Sequence, residues 1–473
     1  MPNSVEIQDL GSYKELNVKK CLDAKLNTLV EDEFGLPKPL TVSLVMPTKI
    51  DVTRETRDAE LNAMQHILSE CSTLVDVGYI DEIIVIDGSL DEMGNPDFEV
   101  LERVVETAYE QLDLFKRQVK LINENKAQAL MARRGFFDFI VKAVHQFDPN
   151  IFYALKKLEL SNITGLSRVP MGKGAALWLS VPLTAGDVIC FIDSDIMNFT
   201  KEFVVALCHP IINRWQDPVS RVKMVKAGYK RLTASLEPIE HRYFFGGRVT
   251  RLFAIPFFKA LSKMYPKIFG GLDILNYPLS GEFAVQRELL EKLSFPNDYS
   301  IEFSILRQAK KLSNTGQLAQ VDLNFFHHIG QSTKSLEKMV TQIASCIIKT
   351  LKEEGVEPLE STWKKILAEY EDEAEKLFKE YEAIFIEQIK VLAQDLKVQV
   401  AYSKDGEAEL FQEFRKILED AFMKATLNEQ IFLPSWANLD EKTKYLAAST
   451  ILRRRGNQST FSRLKDTGLF YGL

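Results

Sequence analysis

The stretch GDVICFIDSD, residues 186–195, decides how the fold is interpreted. Its apolar run is typical of a buried strand, and the run ends directly in Asp-x-Asp. Because side chains alternate along a strand, Asp193 and Asp195 should face the same side at the strand end. Two carboxylates placed in this way suit a hard divalent cation that bridges a nucleotide diphosphate. A simple turn is the alternative interpretation, and the buried strand before it favours the metal site.

Other apolar runs show how this strand is embedded. Strand-like segments occur at residues 41–46, 82–86 and 224–229, and helix-like segments at residues 57–71 and 127–145 lie between them. This alternation of strands and helices predicts an α/β fold with a mainly parallel sheet. Ligands bind at the carboxyl ends of the strands in such sheets. The polar residues that follow each run are therefore candidate site residues.

Length and composition limit the function classes. The chain has 473 residues, which is enough for a catalytic core and a substantial appendage. A net charge of -7 argues against nucleic-acid binding, which needs a basic surface. The five cysteines contain no CxxC, so neither a disulfide framework nor a zinc site is indicated. The N-terminus lacks the features of a signal peptide, and polar residues with Pro182 interrupt the most apolar stretch, so we expect a cytoplasmic protein without a membrane span.

The C-terminal part has a different pattern. Apolar residues recur every three to five positions between Trp363 and Leu392, which predicts a long amphipathic helix. Its apolar face needs a partner, which is the core, a second helix of the chain or a twin subunit, and we expect a homodimer. The basic cluster at residues 453–455 is interpreted as a solvated helix end.

Two further motifs suggest ligands for a phosphorylated substrate and its metal. In Met-Gly-Lys-Gly, residues 171–174, Lys173 offers a point charge for phosphate, although a loop lysine is more often merely solvated. His327 and His328 follow a strand-like run, and neighbouring side chains on a strand face opposite ways. At most one imidazole should therefore complete the coordination of an ion at Asp195, and a buried core histidine is the commoner alternative.

Two more segments suggest substrate contacts. In HRYFFGGRVTR, residues 241–251, Arg248 and Thr250 follow paired glycines and suit a small dianionic acceptor, although a glycine turn before a helix is equally plausible. The segment at residues 277–283 should precede a helix. Glu302, at a helical start, would accept hydrogen bonds from sugar hydroxyls or interact with the helix dipole.

Taken in order, these motifs resemble the retaining GT-A glycosyltransferases called glucosyl-3-phosphoglycerate synthases. The similarity runs from about Thr41 to Leu351. It rests on Gly172-Lys-Gly-Ala-Ala-Leu-Trp178, Asp193-Ser-Asp195, Gly247-Arg-Val-Thr250, Pro278-Leu-Ser-Gly-Glu-Phe-Ala284, Tyr299-Ser-Ile-Glu302 and His328. The resemblance implies a Rossmann-like GT-A core, and a long helical C-terminal extension follows it.

The resemblance also implies residue roles. Asp195 and His328 would bind Mg²⁺ or Mn²⁺. The catalytic candidates are Lys173, Glu302 and the backbone of Leu279. The donor-binding candidates are Pro47, Thr48, Ser89, Lys173, Asp193 and Ser194, and the acceptor-binding candidates are Gly247, Arg248, Val249 and Thr250.

The implied reaction moves glucose from a nucleoside diphosphate donor to 3-phosphoglycerate with retention of configuration. UDP and GDP donors stay open, as do mannose in place of glucose and glycerate, glycerol phosphate or polyprenyl phosphate as acceptor. A nucleotidyltransferase and an inactive GT-A-like scaffold are the alternatives outside this class. We expect an N-terminal segment at 1–40, a nucleotide-sugar-binding subdomain at 41–230, an acceptor-binding subdomain at 231–351 and a helical extension at 352–473.

Overall fold

The computed structural model describes residues 6–32, 35–112, 141–148, 151, 169–217, 219–234, 242–329, 333–357, 359–395, 399–424 and 431–438. The strands are β1 (Ile7–Ser12), β2 (Leu29–Glu31), β3 (Pro37–Pro39), β4 (Val42–Thr48), β5 (Glu82–Asp87), β6 (Val141–His145), β7 (Val188–Phe191), β8 (Met224–Ala234), β9 (Arg242–Phe245), β10 (Phe283–Gln286), β11 (Phe295–Pro296), β12 (Leu318–Ile329), β13 (Gln399–Ala401) and β14 (Phe432–Leu433). The α-helices are α1 (Val18–Asn27), α2 (Arg57–Asp76), α3 (Glu99–Val105), α4 (Lys173–Ser180), α5 (Lys201–Ile212), α6 (Ile255–Met264), α7 (Pro266–Phe269), α8 (Arg287–Leu290), α9 (Ile301–Leu312), α10 (Thr333–Glu353), α11 (Glu360–Ile384), α12 (Lys390–Asp395) and α13 (Lys404–Lys424).

A mixed ten-stranded sheet forms the centre of the described structure. Its main order is β1-β12-β8-β10-β7-β4-β5-β6, and β9 and β13 extend it beside β8. Strand β10 runs antiparallel to both of its neighbours, β7 and β8, whereas β4, β5, β6 and β7 pair in parallel. Because β8 and β12 also pair in parallel, the carboxyl ends of β4, β5, β7, β8 and β12 lie at one edge of the sheet. This edge is where a sheet-borne site is expected.

Helical layers cover both faces of the sheet. In β7, Ile189 and Phe191 pack into one hydrophobic cluster, whereas Val188 and Cys190 pack into the other. The alternation follows the two-residue period of a strand, and burial on both faces explains why the run is continuously apolar. The α/β core predicted from the sequence is confirmed, as a mixed sheet with helices on both faces.

The C-terminal extension packs against the core of its own chain. In α11, the Trp363 ring meets Phe257 edge-on, and its Nε1 donates a hydrogen bond to the Leu418 carbonyl. The Tyr370 hydroxyl donates to the carbonyl of Leu252. The predicted long amphipathic helix is therefore confirmed, and its apolar face is buried against α6 and α13. The homodimer and the subdomain boundaries stay predictions.

Two local predictions were wrong. The helix predicted at residues 127–145 does not include its last five residues, because Val141–His145 forms β6 and pairs in parallel with β5. Its two valines are β-branched and buried, which suits a strand, and residues 127–140 lie outside the described residues. The segment at 277–283 leads first into β10 and then into α8. The basic cluster at residues 453–455 also lies outside the described residues.

Among the described helices, none combines the length and the apolar character needed to cross a membrane.

Candidate active site

The carboxyl end of β7 brings an aspartate and a histidine together. Asp195 Oδ1 lies 3.2 Å from His328 Nδ1. A backbone bridge between Ile196 and His328, with a 2.8 Å hydrogen bond from the Met197 amide to the His327 carbonyl, holds the exit of β7 beside β12. The His327 ring lies elsewhere and contacts Tyr243. One of the two adjacent histidines therefore faces the aspartate, as the alternation of side chains predicts.

The Asp195 and His328 pair fits the requirements of a divalent cation. Two cis ligands of an octahedral ion with bonds near 2.1 Å stand about 3 Å apart, which agrees with the observed separation. Burial, followed by the charge of Arg231, lowers the pKa of His328, so the imidazole is neutral and can act as a ligand. Burial opposes ionisation of Asp195, but the hydrogen bond with His328 and the charges of Arg231 and Lys173 outweigh it and lower the pKa of this carboxyl. Within the described residues, His328 Nε2 has no hydrogen-bond partner.

A second acidic group does not share these properties. Glu369, Asp372 and Glu373 lie together on α11. Lys263 forms ion pairs with both glutamates, and Lys376 forms ion pairs with Asp372 and Glu373. The lysines neutralise this group, so it is explained as a surface ion-pair network.

Lys173 connects two of the predicted carboxylates. Its Nζ lies 2.8 Å from Asp193 Oδ1 and 2.8 Å from Glu302 Oε1. Burial disfavours the charged lysine, but these two carboxylates outweigh it and raise its pKa well above the ordinary value. Lys173 therefore stays an ammonium group at the start of α4.

Glycines allow the close approach that creates this contact. A Cβ atom at Gly172 would lie 2.0 Å from the Asn297 carbonyl oxygen, and one at Gly174 would lie 1.7 Å from that of Pro296. Gly172 also has φ +138, a backbone conformation that favours glycine. The start of α4 can therefore press against the segment that leads into α9, where Glu302 lies in the first turn.

The segment after Leu279 packs against Asp193 from the other side. A Cβ atom at Gly281 would lie 2.3 Å from Asp193 Oδ2, so this position has no room for a side chain. Leu279 itself is partly buried against the core. The neighbouring Glu282 is fully buried, and burial followed by the charge of Asp193 raises its pKa to about 7. Its Oε2 accepts a 2.8 Å hydrogen bond from Tyr229.

Several of these residues line a cleft of about 340 Å³, called here the donor cleft. Six predicted site residues line it: Pro47, Thr48, Lys173, Asp193, Ser194 and Asp195. His328 and Glu302 do not line it, but they contact Asp195 and Lys173, which do. Residues that the sequence analysis did not single out also line it, among them Arg54, Glu60, Gln146, Asn297, Asp298, Lys338 and Gln342. The Asn-Asp pair before α9 is a recognisable turn signal. Lys338 has no such signal, because a lysine on an amphipathic helix is usually a solvated residue.

Ser89 lies behind the donor cleft. Its hydroxyl donates to Asp87 Oδ1 at 2.6 Å and accepts from the Ile50 amide at 2.7 Å. Thr48 also donates to Asp87 Oδ1, at 2.7 Å. Ser89 is fully buried, so the structure places its hydroxyl beneath the residues that line the cleft. Burial raises the pKa of Asp87 to about 7.

Arg248 lines a second cavity of about 380 Å³, called here the Arg248 pocket. Of the four predicted acceptor residues, Arg248 is the one that lines it. Val249 and Thr250 are buried in the core, and Gly247 packs against Tyr277. Arg248 forms no hydrogen bond or ion pair with the described residues, and burial, followed by the charge of Arg251, lowers its pKa.

The Arg248 pocket adjoins the Asp195 and His328 pair. Thr233 lines the pocket and is the β8 partner of His328 in β12. Arg231, which is partly buried, interacts electrostatically with both Asp195 and Arg248. The sequence analysis missed Arg231, because an arginine within a strand gives no indication that it will lie near a site.

Curated proteins that are similar to this chain in sequence share one name, given below. No family model matches the chain. The chain is 33% identical over 221 residues to a glucosyl-3-phosphoglycerate synthase of Petrotoga mobilis. This match covers 47% of this chain and 62% of the relative. It is 34% identical over 192 residues to the protein of the same name from Mycobacterium tuberculosis, and this match covers 40% of this chain and 56% of the relative. The chain thus spans less than two thirds of the length of these relatives.

Solved structures were compared as well. The glucosyl-3-phosphoglycerate synthase of Mycobacterium tuberculosis, in complex with Mn²⁺, UDP-glucose and phosphoglyceric acid, aligns with a TM-score of 0.48 and 24% sequence identity, covering 73% of this chain and 88% of that chain. Its complex with Mn²⁺, UDP-glucose and glycerol 3-phosphate aligns with a TM-score of 0.46 and 24% identity, covering 71% and 84%. Over the matched part, the chain is therefore similar in sequence to glucosyl-3-phosphoglycerate synthases.

Proposed function

We propose that this protein is a metal-dependent retaining glycosyltransferase that moves glucose from a nucleoside diphosphate donor to 3-phosphoglycerate. The observation that carries the proposal is that Lys173, Asp193 and Asp195 line one cleft at the carboxyl edge of the sheet, with His328 in contact with Asp195. The names of the sequence relatives support transfer of a glucosyl group to 3-phosphoglycerate.

The donor cleft suits a nucleotide diphosphate. Asp195 and His328 would hold Mg²⁺ or Mn²⁺, which would stabilise negative charge on the leaving diphosphate as a Lewis acid. Lys173 adds a fixed ammonium group in the same cleft, where burial strengthens its electrostatic effect. Because Glu302 is bound to Lys173, its carboxylate lies beside the phosphate-binding region and can accept hydrogen bonds from sugar hydroxyls.

Retention is explained by attack on the same face as the leaving group. Glu302 is engaged by Lys173, which makes its carboxylate a poor nucleophile. We therefore assign the attack to the acceptor hydroxyl. The bond between the anomeric carbon and the diphosphate oxygen breaks, the bond to the acceptor oxygen forms, and the hydroxyl proton passes to the leaving phosphate oxygen.

The Arg248 pocket suits the anionic acceptor. Its guanidinium is partly buried and has no partner among the described residues, and arginine binds phosphate or carboxylate through two parallel hydrogen bonds. The pocket adjoins the metal-binding pair through Thr233, so an acceptor held by Arg248 would lie near the donor sugar.

The test is release of nucleoside diphosphate from UDP-glucose and from GDP-glucose, with Mg²⁺ or Mn²⁺, with and without 3-phosphoglycerate. We expect release that requires both metal and acceptor, with a clear preference for one donor. Release of pyrophosphate would instead indicate a nucleotidyltransferase. If neither donor reacts with 3-phosphoglycerate, the proposed acceptor is wrong, and glycerate and glycerol phosphate are the next compounds to assay.

A further inference from the structure

The Arg248 pocket is built from two parts of the chain. The core contributes Thr233, residues 244–246 and Arg248. The other wall consists of residues between 401 and 413, which belong to the C-terminal extension. The motifs of the family end before this extension begins. One half of the pocket therefore comes from a region outside those motifs.

The extension is joined to the core sheet beside the pocket. Strand β13 pairs in parallel with β9, which places Ala401 opposite Phe244 and Val400 opposite Tyr243. The next residue, Tyr402, stacks on Phe385 with ring centroids 4.8 Å apart. The extension thus completes the edge of the sheet from which the Arg248 loop leaves.

A buried ion pair ties the same regions together. Arg251 Nη1 lies 3.0 Å from Glu407 Oε2, and Arg251 Nη2 pairs with Glu407 Oε1. Arg251 also donates to the carbonyls of Gly246 at 2.8 Å and Phe245 at 2.9 Å. One guanidinium therefore connects α13 with the two residues that lead into the Gly247-Arg248 turn.

The charges around the pocket explain why this pair matters. Arg248 interacts electrostatically with Arg251, Glu407 and Arg231, and Glu407 forms its ion pair with Arg251. Glu409 and Glu413 also line the pocket, and Arg248 forms no ion pair with the described residues. If Glu407 lost its charge, Arg251 would be an unpaired buried cation, and the link from α13 to the carbonyls of Gly246 and Phe245 would be weakened.

We propose that the C-terminal extension is part of the acceptor site, in which Glu407 acts through Arg251 to position the Arg248 loop for a small phosphorylated acceptor. The inference rests on the proposed function for the identity of the acceptor. Glu407 is a positioning residue, since its carboxylate is engaged by Arg251. Its removal should weaken acceptor binding without altering the donor cleft.

The test compares two isosteric substitutions of extension carboxylates that pair with core cations. Glu407→Gln should raise the KM for 3-phosphoglycerate by about fivefold or more, whereas the donor KM and kcat should stay within about twofold. Glu373→Gln is the control, because Glu373 pairs with Lys263 and does not line the Arg248 pocket. Equal effects of the two substitutions, or an unchanged acceptor KM in Glu407→Gln, would overturn the inference.

A binding measurement separates this inference from the proposed function. Inorganic phosphate and 3-phosphoglycerate should each raise the thermal unfolding midpoint of the wild-type protein. The rise should be smaller in Glu407→Gln and as large as in the wild type in Glu373→Gln. If no sugar is transferred, the proposed function fails, but the comparison of unfolding midpoints still tests the inference. If neither ligand raises the midpoint of the wild-type protein, the inference is overturned. If Glu407→Gln does not fold, Glu407→Asp decides: a raised acceptor KM supports the positioning role, and an unchanged one overturns it.

Discussion

The donor cleft and the Arg248 pocket differ in how their charges are balanced. In the donor cleft, Lys173 is already paired with Asp193 and Glu302. In the Arg248 pocket, the guanidinium of Arg248 has no partner among the described residues. A ligand in the donor cleft must rearrange existing ion pairs, whereas an anion in the Arg248 pocket meets an arginine that is held in no ion pair, although Glu407, Glu409 and Glu413 also line that pocket.

The two cavities also differ in origin. The donor cleft forms where the carboxyl ends of parallel strands meet, and residues 297–299 and helix α10 complete its lining. The Arg248 pocket exists because the extension docks against β9 and α6. The donor cleft is therefore expected to depend on residues near the strand ends, and the pocket on contacts between distant parts of the chain.

Removal of a metal ligand should break the donor cleft most severely. Asp195→Ala deletes one of the two side chains that fit a divalent ion, so we expect transfer to fall by about 10³-fold or more. His327→Ala is the matched control, because this imidazole contacts Tyr243 and not Asp195. Metal-dependent nucleoside diphosphate release measures both variants, with circular dichroism to verify the fold. Comparable rates in the two variants would remove Asp195 from the metal site.

Substitutions in each cavity separately test whether the two cavities bind different substrates. Arg248→Ala should raise the acceptor KM by about tenfold, near 1.4 kcal/mol, because a charge-assisted contact to the acceptor anion is lost. Lys338→Ala should raise the donor KM instead, since Lys338 lines the donor cleft. Initial rates over a matrix of donor and acceptor concentrations distinguish these effects. If both substitutions raise the same KM, the assignment of one substrate to each cavity is wrong.

Much of the donor cleft could be predicted from the sequence, for a physical reason. The alternation of side chains and the strand-end rule depend on local patterns, so Asp193 and Asp195 could be placed from the run before them. The same rules favoured one histidine of the pair at 327–328 without saying which. The family resemblance selected His328, and the structure brings it to Asp195.

The Arg248 pocket could not be predicted from the sequence in the same way. Its far wall follows β13, a strand of three residues without a distinctive pattern, and its ion pair joins positions 251 and 407. Long-range contacts of this kind leave no periodic signal in a sequence. The helix predicted up to residue 145 failed for a related reason, since pairing with β5 determines the conformation of β6.

The floor of the donor cleft offers the smallest and most specific test. Asp87 is buried beneath Thr48, and burial raises its pKa from 3.8 to about 7. The folded protein therefore holds this proton more tightly than the unfolded chain, so the stabilisation is complete below pH 3.8 and is lost as the pH rises through about 7. Asp87→Asn keeps an acceptor for Thr48 but cannot ionise, which should remove a pH-dependent contribution of at most about 4 kcal/mol between pH 4 and 7.

Denaturant unfolding from pH 4 to pH 8 measures this contribution, with Glu92→Gln as a control at an exposed carboxylate. The free energy of unfolding of Asp87→Asn should fall less steeply with pH than that of the wild type and of the control. Parallel curves would mean that Asp87 is ionised in the folded protein throughout this range. A flatter curve would instead show that the donor cleft rests on a neutral acid, so that the charges seen by a donor are those of Lys173 and its carboxylate partners rather than a buried anion below them.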